Sequence, residues 1–133
     1  MISSAFVILV NSDNRIILQH RTADAPTNPS RWQLWGGAIE KGESPEEAVI
    51  RELQEELALQ VSHESLKRLE NYKPNENNES GLYIIHLTDA HTKFLLGEGD
   101  GYGFFDKGAA SSLDLEEMTR SCIETYSKEI FGS

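Results

Sequence analysis

Short apolar runs separated by turn residues dominate the first third of the chain and predict β-strands. Residues 2–10 are rich in Val, Ile and Leu, which is typical of a buried strand. A polar turn separates this run from residues 15–21, so the two segments predict a hairpin. Residues 22–30 contain two prolines and predict a loop, and residues 32–35 predict a short strand after it.

The rest of the chain predicts two helices among further strands. Residues 45–59 follow a helical period, and residues 115–131 carry an apolar stripe at near-helical spacing, with Asp114 as the expected N-cap. Further strands are predicted at residues 66–73, 81–88 and 102–105, with a polar loop at 74–80 and a glycine-rich loop at 95–103. This order predicts one α/β domain over residues 1–133, in which helices pack on a mixed sheet.

The overall charge narrows the class of ligand. The chain has 133 residues, with 12 basic and 22 acidic side chains, so its formal net charge is −10. This balance disfavours wrapping of a long nucleic acid and binding to an anionic membrane, because both carry negative charge. A small phosphorylated ligand is still compatible, because a divalent cation can bridge acidic side chains and phosphate.

Two further features point to the interior of a cell. Cys122 is the only cysteine, so the chain cannot form an internal disulfide, and its periodic apolar neighbours place it in the core. The apolar run at residues 5–10 is too short to span a membrane, and no basic residue precedes it as in a signal peptide. We therefore expect a cytoplasmic protein.

The helix predicted at residues 45–59 carries three carboxylates on one face. With about 100° per residue and Glu52 set at 0°, Glu55 falls near −60° and Glu56 near +40°. Like charges at this spacing repel one another, and a divalent cation bound between them reverses the sign of that effect. Carboxylate clusters of this kind suit Mg²⁺ or Mn²⁺, which prefer oxygen ligands.

The same projection predicts how this helix packs and how it begins. Ile50, Leu53 and Leu57 form the expected core stripe. Ala48 falls within the carboxylate face, where its small side chain leaves room above that face. The sequence Ser44-Pro45-Glu46-Glu47 contains a complete helix start with a capping box.

A charged pair is expected to join the helix to the loop before it. Glu43 lies just before the helix, and Arg51 lies within it, next to Glu52. The opposite charges of Glu43 and Arg51 predict an ion pair that holds the loop against the helix. The alternative for the whole cluster is an acidic, solvated helix face in a glutamate-rich protein.

The spacing of these residues resembles the signature of the Nudix hydrolases, G-x5-E-x7-R-E-U-x-E-E-x-G-U, in which U is a bulky aliphatic residue. The chain has Gly37, Glu43 and the run Arg51-Glu52-Leu53-Gln54-Glu55-Glu56-Leu57-Ala58-Leu59 at the matching spacing. Two positions depart from the family: Ala58 stands where Gly is usual, and Trp35 stands where many members have Pro. Because a left-handed Ala costs roughly 1 kcal/mol, we expect the helix to end differently by a residue.

The resemblance implies an α/β/α sandwich with a mixed β-sheet and a single Nudix domain. It further implies metal-dependent hydrolysis of a nucleoside diphosphate linked to another group, with Mg²⁺ or Mn²⁺ as the cofactor. In this chain the metal ligands would be the side chains of Glu52, Glu55 and Glu56, together with the carbonyl oxygen of Gly36.

The resemblance also implies catalytic and orienting roles. Glu52 is the first choice for the base that activates the attacking water. Glu98, in the later loop, is the rival base and a further metal ligand. Glu43 and Arg51 would orient the helix and its loop.

Residues outside the signature predict the substrate side of the site. Arg21 and Arg31 are expected to contact phosphates, and Trp32 or Trp35 to stack on a nucleobase. The alternatives are that Arg21 is a solvated strand end and that one of the tryptophans belongs to the core. The glycine-rich stretch 97–103 predicts either a loop that closes over substrate or a plain connection.

These features favour a hydrolase that cleaves the diphosphate linkage of a small nucleotide, either a nucleoside triphosphate or a nucleotide sugar of the ADP-ribose type. One alternative is a non-catalytic nucleotide-binding module of the same fold, but none of its four signature glutamates is missing: Glu43, Glu52, Glu55 and Glu56. Another is an RNA 5′-end pyrophosphohydrolase, which would need a basic groove for the transcript. Homodimers are common in the family, so a homodimer is also considered.

Overall fold

The computed structural model describes residues 2–88 and 101–132 of the chain. Within these residues a mixed sheet carries helices on both of its faces, as the sequence predicts. In chain order the elements are β1 (Ile2–Val10), β2 (Ile16–His20), β3 (Trp32–Gln33), β4 (Trp35–Ala38), α1 (Pro45–Leu57), a 3₁₀ turn (His63–Ser65), β5 (Lys67–Arg68), β6 (Tyr72–Asn75), β7 (Asn78–His86), β8 (Gly101–Phe105), α2 (Lys107–Ser111), α3 (Glu117–Thr125) and α4 (Ser127–Phe131).

Strand β1 organises the sheet because three other strands pair with it. It runs parallel to β7 and antiparallel to β4 and β2. Strand β2 continues the sheet outward by pairing with β3 and β8. The β1–β4 register places Gly36 opposite Phe6 and Gly37 opposite Ala5. The two glycines therefore lie beside the central strand, and Gly37 lies next to Glu52 of α1.

Alternate side chains of β1 supply two separate cores. Ala5, Val7 and Leu9 pack on one side, together with the buried residues of α1. Ile8 and Val10 pack on the other side, with the buried residues of α3. We call these two sides of the sheet the α1 face and the α3 face. Burial on both sides explains why residues 2–10 are apolar almost throughout.

Helix α1 begins as its sequence predicts. The Ser44 hydroxyl accepts a hydrogen bond from the Glu47 N–H at 3.1 Å, and the Glu47 carboxylate accepts one from the Ser44 N–H at 2.8 Å. These reciprocal bonds form the capping box, and Pro45 occupies the first turn. The bonds from Ser44 lower the pKa of Glu47 below its ordinary value of 4.5.

The end of α1 differs from the prediction. Ala58 adopts the left-handed conformation, with φ 53° and ψ 30°, so the expectation that the helix avoids it is wrong. The Ala58 N–H donates to the Gln54 carbonyl at 3.0 Å, and the Leu59 N–H donates to the Leu53 carbonyl at 3.2 Å. Leu59 is buried in the α1-face core. The burial of Leu59 and the hydrogen bonds to the Gln54 and Leu53 carbonyls hold Ala58 in a conformation that its side chain disfavours.

The buried arc of α1 is rotated relative to the predicted stripe. Leu53 and Leu57 are fully buried, as predicted, but Ile50 is only partly buried. Ala48 is fully buried in the α1-face core, so the prediction that it leaves room above the carboxylates is wrong. Glu56 is 5% exposed and lies on the buried arc. Contact with the sheet decides which residues of α1 are buried. One of them is the carboxylate of Glu56, which the hydrophobic pattern does not predict as buried.

The C-terminal region is divided where the sequence predicted one helix. The backbone leaves helical geometry at Tyr126, with φ −110° and ψ 26°, and this separates α3 from α4. Glu116, instead of the predicted Asp114, is the N-cap of α3. Helix α2 was not predicted. Cys122 lies in the core as expected, and burial raises the pKa of its thiol to about 12.

The polar segment at residues 74–80 is mostly strand, so its prediction as a loop is wrong. Strands β6 and β7 extend through it and leave a tight turn at Glu76 and Asn77. The Asn75 side-chain oxygen accepts the N–H groups of Asn77 and Asn78 at 2.9 and 3.0 Å. The Asn75 side chain therefore closes the turn, and the polar residues on either side of it form the paired strands β6 and β7.

Candidate functional site

Arg51 and the groups it binds before α1, namely Glu40, Glu43 and the Ala38 carbonyl, form a cluster that we call the charged clamp. Arg51 Nε and Nη2 donate to the two carboxylate oxygens of Glu43 at 2.8 and 3.0 Å, which confirms the predicted pair. Nη2 also donates to the carbonyl oxygen of Ala38 at 3.0 Å. Nε lies 3.0 Å from a carboxylate oxygen of Glu40. One guanidinium thus joins α1 to the loop before it and to the end of β4.

The clamp also sets the electrostatics of Glu43. The Arg51 guanidinium and, to a smaller extent, the N–H of Glu40 hold the pKa of Glu43 below its ordinary value of 4.5. The same hydrogen bonds raise the pKa of Arg51 further above its ordinary value. Both groups therefore remain charged across the physiological range, and the loop is tied to the helix throughout it.

Two of the three predicted metal-binding carboxylates converge on a single cation. Arg51 Nη1 donates to Glu52 Oε1 at 2.9 Å and to Glu55 Oε1 at 3.2 Å. The Glu52 side chain is 18% exposed and that of Glu55 is 56% exposed. Oxygen atoms from different turns of α1 are thus already directed at one positive charge.

The carboxylate cluster has the donor chemistry that Mg²⁺ or Mn²⁺ requires, but its full assembly is not formed. Across residues 2–88 and 101–132, no three acidic, His or Cys side chains are gathered closely enough to hold a metal ion. The predicted set of Glu52, Glu55 and Glu56 includes one carboxylate, Glu56, that is buried beside the sheet. Buried carboxylates are stabilised by a cation or by hydrogen bonds, so the residue types fit a metal while the ligation remains a prediction. Glu98 lies outside the described residues.

The Gly36-Gly37 pair allows β4 to approach both β1 and α1. Gly36 has φ +135°, and a Cβ atom there would lie 2.2 Å from the Ala5 carbonyl oxygen, so only glycine fits. A Cβ atom on Gly37 would lie 3.1 Å from Glu52 Oε1. The backbone of Gly37 therefore borders the carboxylate face directly. Metal ligation by the Gly36 carbonyl remains a prediction.

A cavity of about 230 Å³ adjoins this glycine pair. Its lining includes Phe6, Arg21, Gly36, Gly37, Glu116 and Met118. Because Gly37 borders both this cavity and Glu52, a ligand in the cavity would lie next to the carboxylate face. A second cavity, of about 480 Å³, lies beside α1 and is lined in part by Ile50, Arg51 and Gln54. The predicted metal-binding carboxylates of α1 line neither cavity.

The predicted arginines occupy different surroundings. Arg21 lines the smaller cavity, and its Nε and Nη2 atoms lie 3.4 Å from the backbone and hydroxyl oxygens of Thr27. Arg31 does not line that cavity; its Nε lies 3.6 Å from Asp114, and both side chains are well exposed. The structure therefore brings Arg21, but not Arg31, to the cavity.

The two tryptophans lie on opposite faces of the sheet. Trp35 is fully buried in the α1-face core, and its indole N–H donates to the Ile17 carbonyl at 2.9 Å. It has no exposed ring face, so Trp35 cannot stack on a nucleobase and is the tryptophan that belongs to the core, as the alternative interpretation expected. Trp32 is partly buried on the α3 face, between His20 at 4.7 Å and Phe105 at 4.9 Å between ring centroids. It does not line the smaller cavity.

Glu116 was not predicted as a site residue from the sequence. This residue lines the cavity and caps α3, whereas the prediction placed the cap at Asp114. The available signal was Thr119, three positions later, whose hydroxyl donates to the Glu116 carboxylate at 2.8 Å.

No helix in the described part of the chain is long and apolar enough to cross a membrane.

A family model described as a NUDIX domain matches residues 2–117. The chain is 42% identical over 79 residues to the 8-oxo-dGTP diphosphatase of Escherichia coli (strain K12), covering 59% of the chain and 60% of that protein. It is 46% identical over 84 residues to the putative 8-oxo-dGTP diphosphatase of Bacillus subtilis (strain 168), covering 63% of the chain and 52% of that protein. The chain thus spans about half to three fifths of these curated relatives.

The fold has a close counterpart among solved structures. A structure from a study of MutT from Aliivibrio salmonicida and Vibrio cholerae superposes with a TM-score of 0.76 and 22% identity. The superposition covers 93% of this chain and 94% of the other. At this level of identity the likeness shows the fold, and it agrees with the mixed sheet and two helical layers described above.

Proposed function

Because the chain belongs to the Nudix family, we propose that it hydrolyses the diphosphate linkage of a small nucleotide, with a nucleoside triphosphate as the expected substrate. The observation that carries the proposal is the convergence of Glu52 and Glu55 on the cationic Arg51, beside a cavity that Gly37 borders. Carboxylates at this position can hold a metal against phosphates that enter from the cavity.

Glu52, Glu55 and Glu56 would hold Mg²⁺ or Mn²⁺, which supplies charge neutralisation of the phosphates and a lower pKa for coordinated water. Glu52 would take the proton of the attacking water, whose oxygen forms a bond to phosphorus. The anhydride P–O bond breaks, and its electron pair leaves with the departing phosphate group. Proton acceptance by Glu52 suits its position, because its carboxylate borders Gly37 at the edge of the cavity.

Glu43 and Arg51 would act as positioning residues in this scheme. Their bidentate pair ties the loop before α1 to the helix, and the bond from Arg51 to Ala38 ties the helix to β4. These contacts hold Glu52 and the glycine pair in a fixed relation. Fixed geometry matters for catalysis because a misplacement of about 1 Å lowers rates by on the order of 100-fold.

The relatives favour a guanine nucleotide within this substrate class. Two proteins that match the chain at 42% and 46% identity are named as diphosphatases of 8-oxo-dGTP, one of them as putative. The net charge of −10 agrees with a requirement for a divalent cation, because an anionic substrate must approach an acidic protein. A homodimer and a cytoplasmic location remain predictions.

The test is product analysis after incubation with Mg²⁺ and a panel of nucleoside triphosphates, nucleotide sugars, ADP-ribose and dinucleoside polyphosphates. We expect turnover of a nucleoside triphosphate and a loss of about 100-fold or more in Glu52→Gln and Glu56→Gln. The matched control is Glu64→Gln, which changes an exposed glutamate in the 3₁₀ turn.

The outcomes separate the competing functions. Undiminished turnover in Glu52→Gln would refute the assigned role of that carboxylate. Nucleotide binding without turnover, with Mn²⁺ also tried, would favour the non-catalytic module. Salt-dependent binding of a triphosphorylated RNA, with no turnover of free nucleotides, would favour the RNA-end activity.

A further inference from the structure

Tyr83 joins the first turn of α1 to the strand beneath it. Tyr83 belongs to β7 and is 1% exposed within the α1-face core. Its hydroxyl donates a hydrogen bond to Glu46 Oε2, and Glu46 lies in the first turn of α1. A carboxylate acceptor makes this bond stronger than a bond between neutral groups. The pair therefore fastens the start of α1 to β7 across 37 positions of the chain.

The surroundings of Tyr83 keep its hydroxyl protonated. Burial and, to a smaller extent, the hydrogen bond to Glu46 raise the pKa of Tyr83 to about 12, although the nearby charge of Arg68 acts in the opposite direction. Arg68 lies opposite Tyr83 in the β5–β7 register. Tyr83 can therefore donate to Glu46 throughout the physiological pH range.

Glu46 and Glu52 lie on opposite sides of the centre of the buried arc of α1. With about 100° per residue and Glu52 at 0°, the buried residues of the helix centre near 60° and Glu46 falls near 120°. The contacts agree, because Glu46 meets Tyr83 of β7 whereas Glu52 borders Gly37 of β4. Strands β7 and β4 pair with the same residues of β1, so they lie on its two opposite edges. The two glutamates therefore contact the sheet on opposite sides of its central strand.

Gly81 of β7 allows the start of α1 to lie close to this strand. A Cβ atom on Gly81 would lie 3.5 Å from the Cβ atom of Pro45, at ordinary contact distance. The first turn of α1 thus lies against β7 at Pro45 and bonds to it at Glu46. On the other side of the helix, the charged clamp bonds α1 to the end of β4. Two attachments on opposite sides of α1 oppose its rotation about the helix axis.

We propose that Tyr83 is a positioning residue for the carboxylates of α1, because its bond to Glu46 fixes the rotation at which Glu52 faces Gly37. This inference rests on the proposed function for the metal that these carboxylates would hold. A rotation of about 10° moves an atom that lies about 5–6 Å from the helix axis by about 1 Å. Small divalent cations such as Mg²⁺ require near-ideal ligand geometry, so a shift of this size weakens their binding.

The test measures the binding of Mn²⁺ alone, by electron paramagnetic resonance of the free ion, to the unmodified protein and to Tyr83→Phe. This change removes the hydroxyl and keeps the buried ring. Partners that orient metal ligands typically alter metal affinity by about 10–100-fold, and Tyr83 acts through the helix, so we expect a loss of about 10-fold. Glu56→Gln, which removes a proposed ligand, should weaken Mn²⁺ binding more than Tyr83→Phe does.

Two changes at Glu46 test whether the bond itself is the cause. Glu46→Gln removes the charge but keeps an oxygen that accepts the Tyr83 hydroxyl, so most of the Mn²⁺ affinity should remain. Glu46→Ala removes the acceptor and should weaken Mn²⁺ binding as Tyr83→Phe does. Because both changes break the same bond, the double variant should bind Mn²⁺ no more weakly than either single variant.

Two variants on the α3 face separate positioning from a general loss of stability. Tyr72→Phe removes the hydroxyl of a partly buried tyrosine in the α3-face core and should leave Mn²⁺ binding unchanged. Thr119→Val removes the acceptor of the buried Leu34 N–H, and it should also leave Mn²⁺ binding unchanged well below its melting temperature. If Thr119→Val weakened Mn²⁺ binding as much as Tyr83→Phe, the effect would follow stability and the role of Tyr83 would be overturned.

This inference and the proposed function fail in different ways. Unchanged Mn²⁺ affinity in Tyr83→Phe, in a protein that hydrolyses nucleotides, overturns the role of Tyr83 alone. Weakened Mn²⁺ binding in Tyr83→Phe with retention in Glu46→Gln supports that role, even if no nucleotide is hydrolysed and the proposed function is refuted. If the unmodified protein binds Mn²⁺ no better than Glu56→Gln, both the metal site and the role of Tyr83 are refuted.

Discussion

The two faces of the sheet contribute to the site in different ways. On the α1 face, the charged clamp and the carboxylates all come from residues 38–56, and the contacts of Arg51 reach at most 13 positions along the chain. On the α3 face, the cavity wall combines Phe6, Arg21 and Glu116, which are far apart in the sequence. The carboxylate end of the site is therefore built from one segment of the chain, whereas the cavity beside it depends on the complete fold.

The largest expected effect is a difference in stability loss between the tryptophans of the two faces. Trp35→Ala should lower the free energy of unfolding by about 3–5 kcal/mol, because it empties a fully buried site in the α1-face core. It also leaves the Ile17 carbonyl without the indole N–H. Trp32→Ala should cost less, because Trp32 is only partly buried. Urea unfolding of both variants measures the difference.

Trp35→Phe is the control for this pair. It retains most of the buried ring and should recover more than half of the stability lost in Trp35→Ala. Equal losses in Trp35→Ala and Trp32→Ala would contradict the assignment of Trp35 to the core and Trp32 to the rim.

A second pair of variants tests the polar contacts of each face. Arg51→Met removes the clamp on the α1 face, and Thr119→Val leaves the buried Leu34 N–H without its acceptor on the α3 face. Thr119→Val should destabilise the fold by about 1–3 kcal/mol, because a buried donor loses its acceptor. Arg51→Met should cost less, because the Arg51 ion pairs are partly exposed to water. Urea unfolding measures both losses. Because the faces use separate contacts, the losses should add in the double variant. A strong departure from additivity would show that the faces are coupled.

The end of α1 offers a stabilising change. Ala58→Gly should raise the free energy of unfolding by about 1 kcal/mol, because glycine adopts the left-handed conformation without the strain of a Cβ atom. Ala109→Gly, within the short helix α2, is a control that should not stabilise. Thermal unfolding of the two variants and the unmodified protein gives their melting temperatures, which should rise only in Ala58→Gly. A lower melting temperature in Ala58→Gly would refute the strain at this cap.

The smallest expected effect is the acid dependence of the clamp. The pKa of Glu43 is lowered in the folded chain, so its contribution to stability is complete above the ordinary value of 4.5 and is lost as pH falls through the lowered value. Urea unfolding from pH 7 to pH 3 should show a stability gap between the unmodified protein and Glu43→Gln that narrows in acid. A gap that widens in acid would contradict this sign.

The α1 face is also the face whose contacts can be predicted from the sequence. The start of α1 and the pairing of Glu43 with Arg51 were predicted, because their partners lie within eight residues. The C-terminal helices were predicted as one element with the wrong cap. Asp114 is the better N-cap by residue type, but Glu116 reaches both Met118 and Thr119, and this choice depends on the bond from Leu34 to Thr119.

The sequence by itself determined the elements whose hydrogen bonds and side-chain spacing are local: the burial of β1, the capping box of α1 and the ion pair of Glu43 with Arg51. Tertiary structure alone decided that Trp35 is core, that Ala58 is left-handed and that Glu116 faces the cavity. Each of these depends on contacts with residues distant in the chain. Burial of Leu59, contact with β1 and the hydrogen bonds that join Leu34, Thr119 and Glu116 outweigh local preference.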